Sequence, residues 1–299
     1  MYTEYLETAL EAARLAAPVI KSAFTNRSLQ GVLDLKSNTS DIVTATDKAV
    51  EALVITHIKT KHPTHKFIGE ETYDTTSTVL TNEYTWVIDP VDGTTNFVHG
   101  FPYTCISIAL VKDKTPIVGV VLNPILGETF YAAQGSGAFM IGMDGETYSL
   151  PLHASGGVKP WAGFSGSLLA TEWGYERDER LDSKVESLVK VLKAPTRGIR
   201  SLGSAALEAC YVARGTFDAY WEAGVHMWDV AAAAVIIHES GGAIANFVPV
   251  AGENGESEFL DLKQRKFIFV RAVEGGREKV KEVVELIRSQ LGELDYSSD

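Results

Sequence analysis

The stretch Trp86-Val87-Ile88-Asp89-Pro90-Val91-Asp92-Gly93-Thr94-Thr95-Asn96-Phe97 restricts the possible folds of this chain more than any other segment. An apolar run from Tyr84 to Ile88 reads as a short buried strand bounded by Pro90 and Gly93. At its end stand two carboxylates three positions apart, then a glycine and two hydroxyl residues. Carboxylate oxygens are hard ligands, suited to Mg²⁺ or Mn²⁺ rather than to a soft-metal site. Pro90 cannot extend a strand ladder, so the chain is expected to turn there and offer a backbone carbonyl inward. Gly93 allows the turn. Thr94 or Thr95 is placed to cap a following helix whose free N–H groups suit a phosphate. Metal ligands beside an anion-binding helix start point to phosphoryl chemistry. An Asp-x-x-Asp-Gly turn on its own only satisfies local backbone groups, so partners elsewhere in the chain decide the matter.

The chain has 299 residues, enough for one large domain or two intimately packed halves. Its 45% hydrophobic and 22% charged residues are ordinary for a soluble globular protein. Lys and Arg number 27 against 39 Asp and Glu, a formal charge of −12, which argues against nonspecific nucleic-acid binding. An acidic protein that handles phosphate must supply positive charge locally, and a bound divalent cation does so. Cys105 and Cys210 each lie in an apolar pattern without C-x-x-C spacing, and are expected to be buried free thiols in a reducing compartment. The start, Met-Tyr-Thr-Glu-Tyr, has no basic n-region, so no secretory signal is expected. No apolar run approaches the ~20 residues of a membrane span. A soluble, cytoplasmic protein with no membrane partner is expected.

Periodicity divides the chain into alternating elements. Leu6, Leu10, Ala13, Ala17, Ile20 and Phe24 recur at helical spacing, with Pro18 inside the pattern. Residues 25–43 are polar and loop-like. A second helix starts near Thr44, with Asp47 at the capping-box position and Val50, Leu53, Val54 and Ile58 on its apolar face. Phe67-Ile68 is a short strand. Tyr103–Val111, Pro116–Leu122 and Thr129–Ala133 read as antiparallel neighbours joined by turns. Gly135-Ser136-Gly137 lacks the Lys-Ser/Thr of a P-loop and reads as a turn before another strand. Residues 141–160 mark a soft junction between a first half, 1–145, and a second, 146–299. In the second half, Gly163–Ala170 reads as a strand and Leu181–Leu192 as an amphipathic helix. Ser204 caps a helix ended by Gly215, and Ala219–Trp221 is a strand. Trp228–Ser240 is a buried helix, Phe267–Ala272 a strand, and Glu274–Leu291 a surface helix.

Three further acids occupy settings that surface charges rarely share. Glu70 follows a strand and a glycine, Asp229 opens an apolar helix, and Asp47 lies in a first helical turn. Asp47 and Asp229 could each serve a helix dipole alone. Together with Asp89 and Asp92 they are harder to dismiss, because clustered carboxylates repel unless cations hold them.

These residues resemble the inositol monophosphatases, members of the Mg²⁺-dependent, Li⁺-sensitive phosphatase superfamily. The motifs are Trp86–Phe97, Trp228-Asp-Val-Ala-Ala-Ala233, Gly69-Glu70-Glu71 and Asp41–Asp47, with further likeness at Gly119–Asn123, Gly198–Ala206 and Tyr220–His226. The resemblance implies a mixed α/β (α+β) fold, a layered α-β-α-β-α sandwich with the metal site between two halves. It implies that Glu70, Asp89 and the Val91 carbonyl hold one Mg²⁺, that Asp89, Asp92 and Asp229 hold a second, and that a third, weaker ion sits near Glu70. Glu70 and Thr94 would activate the attacking water, with Asp47 hydrogen-bonded to Thr94. Asp92, Gly93, Thr94, Gly203, Ser204, Ala205, Glu222 and Asp229 would contact the substrate, Glu222 by accepting bonds from polyol hydroxyls. Lys36 is read either as reaching the metal waters or as a solvated loop lysine, and His226 as a packing residue. The activity implied is hydrolysis of inositol-1-phosphate by a homodimeric enzyme. The alternatives are another small phosphomonoester (a sugar phosphate, histidinol phosphate or a nucleotide bisphosphate) and a non-catalytic binding protein of the same fold.

Overall fold

The computed structural model describes residues 2–26, 33–35, 42–74, 78–152, 157–249 and 260–292. Lys36 and Asp41 lie outside the described residues. The chain opens with helix α1 (Thr3–Thr25), short strands β1 (Leu33–Leu35) and β2 (Ile42–Thr44), and helix α2 (Ala45–Lys61). Next come β3 (Lys66–Gly69), β4 (Thr85–Asp92), helix α3 (Thr94–His99), β5 (Cys105–Lys112), β6 (Thr115–Asn123), β7 (Glu128–Ala133), β8 (Ala138–Ile141) and β9 (Thr147–Ser149). The remainder is β10 (Leu168–Thr171), α4 (Glu179–Leu192), β11 (Gly198–Arg200), α5 (Ala205–Arg214), β12 (Ala219–Ala223), α6 (Met227–Glu239), β13 (Ala243–Asn246), β14 (Lys266–Val270) and α7 (Gly276–Arg288).

Side-chain alternation along the strands sets the layers, since successive residues point to opposite faces of a sheet. On β4 and β5, Trp86, Ile88, Ile106, Ile108 and Leu110 pack with Ala9, Ala12, Ala13 and Ala16 of α1 and Val50, Val54 and Ile58 of α2. The intervening Val87, Cys105, Ala109 and Val111 face the other way, into a core with α5 and α6. The sheet is seven-stranded, in order β3-β4-β5-β6-β7-β8-β9, and only β3 and β4 run parallel. A second sheet, β11-β10-β12-β14-β13, repeats the arrangement. Its Ala170, Tyr220, Phe267 and Phe269 join α5 and α6, while Leu169, Ala219, Trp221, Ile268 and Val270 pack on α7. The result is the expected mixed α/β sandwich with layers in the order α-β-α-β-α. Coverage on both faces explains why β4 and β5 read as unbroken apolar runs rather than alternating ones.

Several local expectations change. β4 does not stop before Pro90 but continues to Asp92 through an irregularity in its pairing with β5. Pro90 is tolerated because its missing N–H falls where the ladder is broken. Neither threonine caps α3. Its N-cap is Gly93, without a side-chain bond, and Thr94 is already the first helical residue. The segment read as a strand from Gly163 begins with a single 3-10 turn, Phe164–Gly166, and the strand is Leu168–Thr171. β1, β2, β11 and β13 have only three or four residues each, and β9, inside the 141–160 stretch, forms the seventh strand of the first sheet. Runs this short carry too little periodicity to be recognised. The buried stripe of α1 is Ala9, Ala12, Ala13, Ala16 and Ile20, while Leu6 and Leu10 are only partly covered.

The middle layer is tight at one point. A Cβ placed on Gly119 of β6 would lie 2.2 Å from the carbonyl oxygen of Ala232 in α6. Helix backbone, not a flexible side chain, occupies the space, so α6 would have to move. Gly119→Ala is therefore expected to lower unfolding stability by about 1–3 kcal/mol, the usual cost of overpacking, as measured by urea denaturation.

Candidate active site

In a regular strand, residues three apart face opposite sides. Asp89 follows Val87 toward the central helices, so an unbroken β4 would send Asp92 with Ile88 toward α1 and α2. The pairing prevents this. Asp89 sits opposite Ser107 and Asp92 opposite Cys105, three steps on β4 against two on β5. That one extra residue is a β-bulge. It turns Val91 into the α1/α2 core and brings Asp92 round to the central layer. There the Asp92 Oδ2 accepts from Ser204 Oγ at 2.6 Å and from the Ala206 N–H at 2.8 Å, with Cys105 Sγ at 3.8 Å. Ser204 is the N-cap of α5, and its hydroxyl oxygen also accepts from the Leu207 N–H at 3.4 Å.

Asp229 comes from the third residue of α6, where helix-end N–H groups favour negative charge. Its Oδ2 accepts from the His226 N–H at 2.6 Å. Ser107 Oγ donates to the Trp228 carbonyl at 3.0 Å, fastening the start of α6 beside the strand position opposite Asp89. The His226 ring stacks on Trp228 with centroids 4.5 Å apart. Asp89 Oδ1 accepts from the Val91 N–H at 3.0 Å.

Asp89, Asp92 and Asp229 each bring a carboxylate oxygen within 4.8 Å of the others. Asp89 and Asp92 are buried and Asp229 is half-buried. Burial pushes the Asp89 carboxyl well above the usual range, and the charges of Glu70, Asp92 and Asp229 push it further. Burial also raises Asp92, against the donors that favour its charged form. Asp229 is raised to about 7, by burial first and then by Asp92. Three such acids cannot all be charged unless a cation joins them. A hard divalent ion fits this all-oxygen, multiply acidic donor set. Glu70 stands one residue beyond β3, its N–H on the Ile88 carbonyl at 3.1 Å, and its charge bears on Asp89. It is not among the three whose oxygens converge.

The other expected site residues surround this cluster. Gly93 has φ +84°, and a Cβ there would lie 2.9 Å from the Tyr103 carbonyl and 3.0 Å from that of Gly203, so only glycine fits. Thr94 Oγ1 donates to the Val91 carbonyl at 3.1 Å. Asp47 is buried in the first turn of α2. The Leu202–Gly203 turn reaches α3 through Asn96, whose Nδ2 donates to the Leu202 and Gly203 carbonyls at 2.6 and 3.2 Å. Ala205 opens α5. Glu222 lies near the end of β12, accepts from the Tyr220 hydroxyl, and is pushed well above the usual range by burial and then by Glu172. Cys105 and Cys210 are buried free thiols, as expected.

Sequence reasoning missed four contributors. Glu51, fully buried on α2, accepts from the Glu71 N–H at 2.8 Å and so holds the turn that carries Glu70. Ser107 and Asn96 act as described, and Tyr175 brings its hydroxyl within 3.4 Å of Thr95 Oγ1. An acid inside an apolar stripe, as at Glu51 beside Val50 and Val54, was the one signal available.

A model of the inositol monophosphatase family matches residues 1–279. The chain belongs to that family. It is 39% identical to "Inositol monophosphatase 2" of Saccharomyces cerevisiae, over 88% of this chain and 87% of that one. It is 38% identical to "Quinic acid degradation cluster protein x" of Neurospora crassa, over 96% of this chain and 90% of that one. Among solved structures, an inositol monophosphatase from Anabaena (Nostoc) sp. superposes with a TM-score of 0.73 and 30% identity, covering 98% of each chain. Membership in the inositol monophosphatase family supports a metal-dependent phosphatase, and the aspartate cluster is a place where the ion could bind. Among the described residues no helix is long and apolar enough to cross a membrane.

Linkage gives this cluster a thermal signature. The folded Asp229 value of about 7 lies above the ordinary 3.8, so the metal-free fold holds more protons than the unfolded chain. The contribution of this group to the stability of the metal-free fold is then full below about 3.8 and is lost as pH rises through about 7. In chelator, Tm is expected to be lower at about pH 8 than at about pH 6, and added Mg²⁺ to raise Tm more at the higher pH. Differential scanning calorimetry at the two pH values checks both parts.

Proposed function

We propose that this protein is a Mg²⁺-dependent phosphomonoesterase that hydrolyses inositol-1-phosphate to inositol and phosphate. The observation that carries the reading is the convergence of Asp89, Asp92 and Asp229, buried or half-buried, on one small volume. In this reading Glu70, Asp89 and the Val91 carbonyl hold one ion, Asp89, Asp92 and Asp229 hold another, and a third binds more weakly near Glu70. Bound divalent ions supply charge stabilisation for the phosphoryl oxygens and a more acidic water. Glu70 takes up a proton from the attacking water at its carboxylate. Thr94, its own proton on the Val91 carbonyl, has lone pairs left to orient that water. Asp47 supports Thr94. The Gly93 and Thr94 N–H groups bind the phosphate and the Gly203-Ser204-Ala205 turn bounds its alcohol part.

Glu222 supports a polyol over a nucleotide, because a carboxyl group offers hydrogen-bond partners to hydroxyls and no positive charge to a second phosphate. The reading also carries a homodimer in the cytoplasm, a setting that suits the two free thiols. The similarity to the Neurospora crassa protein favours a second reading, in which the same machinery serves another small phosphomonoester. Phosphate release with Mg²⁺ from inositol-1-phosphate, fructose-1,6-bisphosphate, histidinol phosphate and adenosine-3′,5′-bisphosphate separates the two. Preference for inositol-1-phosphate is the expected result, and preference for another ester keeps the chemistry while replacing the substrate.

Asp89→Asn tests the machinery itself. It removes a repelling charge from a buried site, so the metal-free protein should be at least as stable as wild type. Activity should fall about 100-fold or more, in line with the several kcal/mol that metal ions contribute. A variant with near-normal turnover would sink the proposed mechanism.

A further inference from the structure

A second group of acids lies behind the substrate turn, where β10, α5 and β12 come together. Glu208 of α5 is 0% exposed, and Glu172, just beyond β10, is partly buried. Their carboxyl groups are in hydrogen-bond contact, and the charge of Glu222 bears on Glu208 as well. Two buried carboxylates in contact do not both ionise, so one keeps a proton.

The hydrogen bonds say which one. Glu172 Oε1 accepts from the Gly203 N–H at 2.7 Å, and its Oε2 lies 2.9 Å from Ser201 Oγ, whose one proton also has the Thr171 carbonyl within reach at 2.7 Å. Glu172 thus has one backbone donor on Oε1 and a hydroxyl beside Oε2, and is the better supplied of the two acids. Glu208 Oε1 accepts from the Leu202 N–H at 3.2 Å, while its Oε2 receives no donor among the described residues. A proton on that Oε2, donated to Glu172, satisfies every atom of the pair. Lys184 does not replace it, because its ammonium group donates to Glu176, the Trp173 carbonyl and the Ala223 carbonyl. Burial and the neighbouring Glu172 charge push Glu208 well above the ordinary range, in agreement with this assignment.

The Leu202 and Gly203 N–H groups thus each place a donor on this pair, and the Ser201 hydroxyl lies against it. Asn96 grips the same turn from the α3 side. The residues that follow, Ser204 and Ala206, are the donors on Asp92. We infer that Glu208 and Glu172 form a carboxylic acid–carboxylate pair that positions the Ser201–Gly203 turn and, through it, the Ser204 and Ala206 donors on Asp92. Both are positioning residues, and their effect on turnover rests on the phosphatase reading above.

The test compares Glu208→Gln with Glu172→Gln in the full chain. At position 208 the amide reproduces both roles, donating to Glu172 and accepting from Leu202. At position 172 the NH₂ group must face either the Gly203 N–H or the proton that Glu208 donates. With Mg²⁺ and the ester that wild type hydrolyses best, Glu208→Gln should keep KM, kcat and the Mg²⁺ activation constant within about twofold of wild type. Glu172→Gln should raise KM or the Mg²⁺ activation constant by about tenfold or more, the usual scale for residues that orient a metal site. Equal losses in both variants, or none in Glu172→Gln, would overturn the assignment. An infrared difference spectrum of wild type minus Glu208→Gln should also contain a protonated-carboxyl C=O band at neutral pH, and its absence would overturn the proton's placement. That measurement needs no substrate, so a wild type that hydrolyses no ester would defeat the phosphatase reading while the pair is still decided.

Discussion

Mutual repulsion among Asp89, Asp92 and Asp229 is the constraint around which the central layer is built. Carboxylates that share a poorly hydrated volume resist ionisation together, and each resists burial by itself. The fold answers with oriented donors: the Ser204 hydroxyl and Ala206 N–H on Asp92, the Val91 N–H on Asp89, and the His226 N–H at the start of α6 on Asp229. These bonds hold the oxygens close but leave the excess charge uncompensated. The cluster is a place that fits a metal ion, and an ion bound there would link the stability of the molecule to its chemistry.

The layers make such a site sustainable. α6 lies between two sheets, so its surface is apolar nearly all round, from Val230 to Ile237. A helix seated this way has little freedom to tilt, and the contact of Gly119 with the Ala232 carbonyl removes much of the rest. Asp229 is therefore held by packing that begins at the next residue and runs the length of the helix. On the other side, the seven-stranded sheet fixes Asp89 and Asp92 through backbone pairing with β5. Rigidity comes from the hydrophobic layers, and the polar groups inherit it.

Much of the site was legible in the order of residues, and the reasons differ from residue to residue. Asp89, Asp92 and Asp229 stood out because acids next to long apolar runs are unusual, and Ser204 because a hydroxyl before an alanine-rich helix is a strong cap signal. Glu208 was not singled out, since a lone acid in a helical pattern reads as part of a solvated face until the neighbouring layer is known, and Glu51 was passed over although it borders the apolar stripe of Val50 and Val54. Lys184 sits in an amphipathic helix and reads the same way, yet its ammonium group is enclosed by Glu176 and two carbonyls. The strands β11 and β13 escaped because three or four residues cannot establish a period of two.

The sequence by itself determined the chemistry available, the family, and the longer helices and strands, because these depend on residue type and short-range spacing. It could not determine that Asp89 and Asp92 share a face. Spacing alone places residues three apart on opposite sides of a strand, and only the pairing of β4 with β5 shows the extra residue that reverses Asp92. Nor could it show that residues 172 and 208 meet behind the Ser201–Gly203 turn. Contacts between distant segments depend on how whole layers pack, and that information resides in the tertiary structure alone.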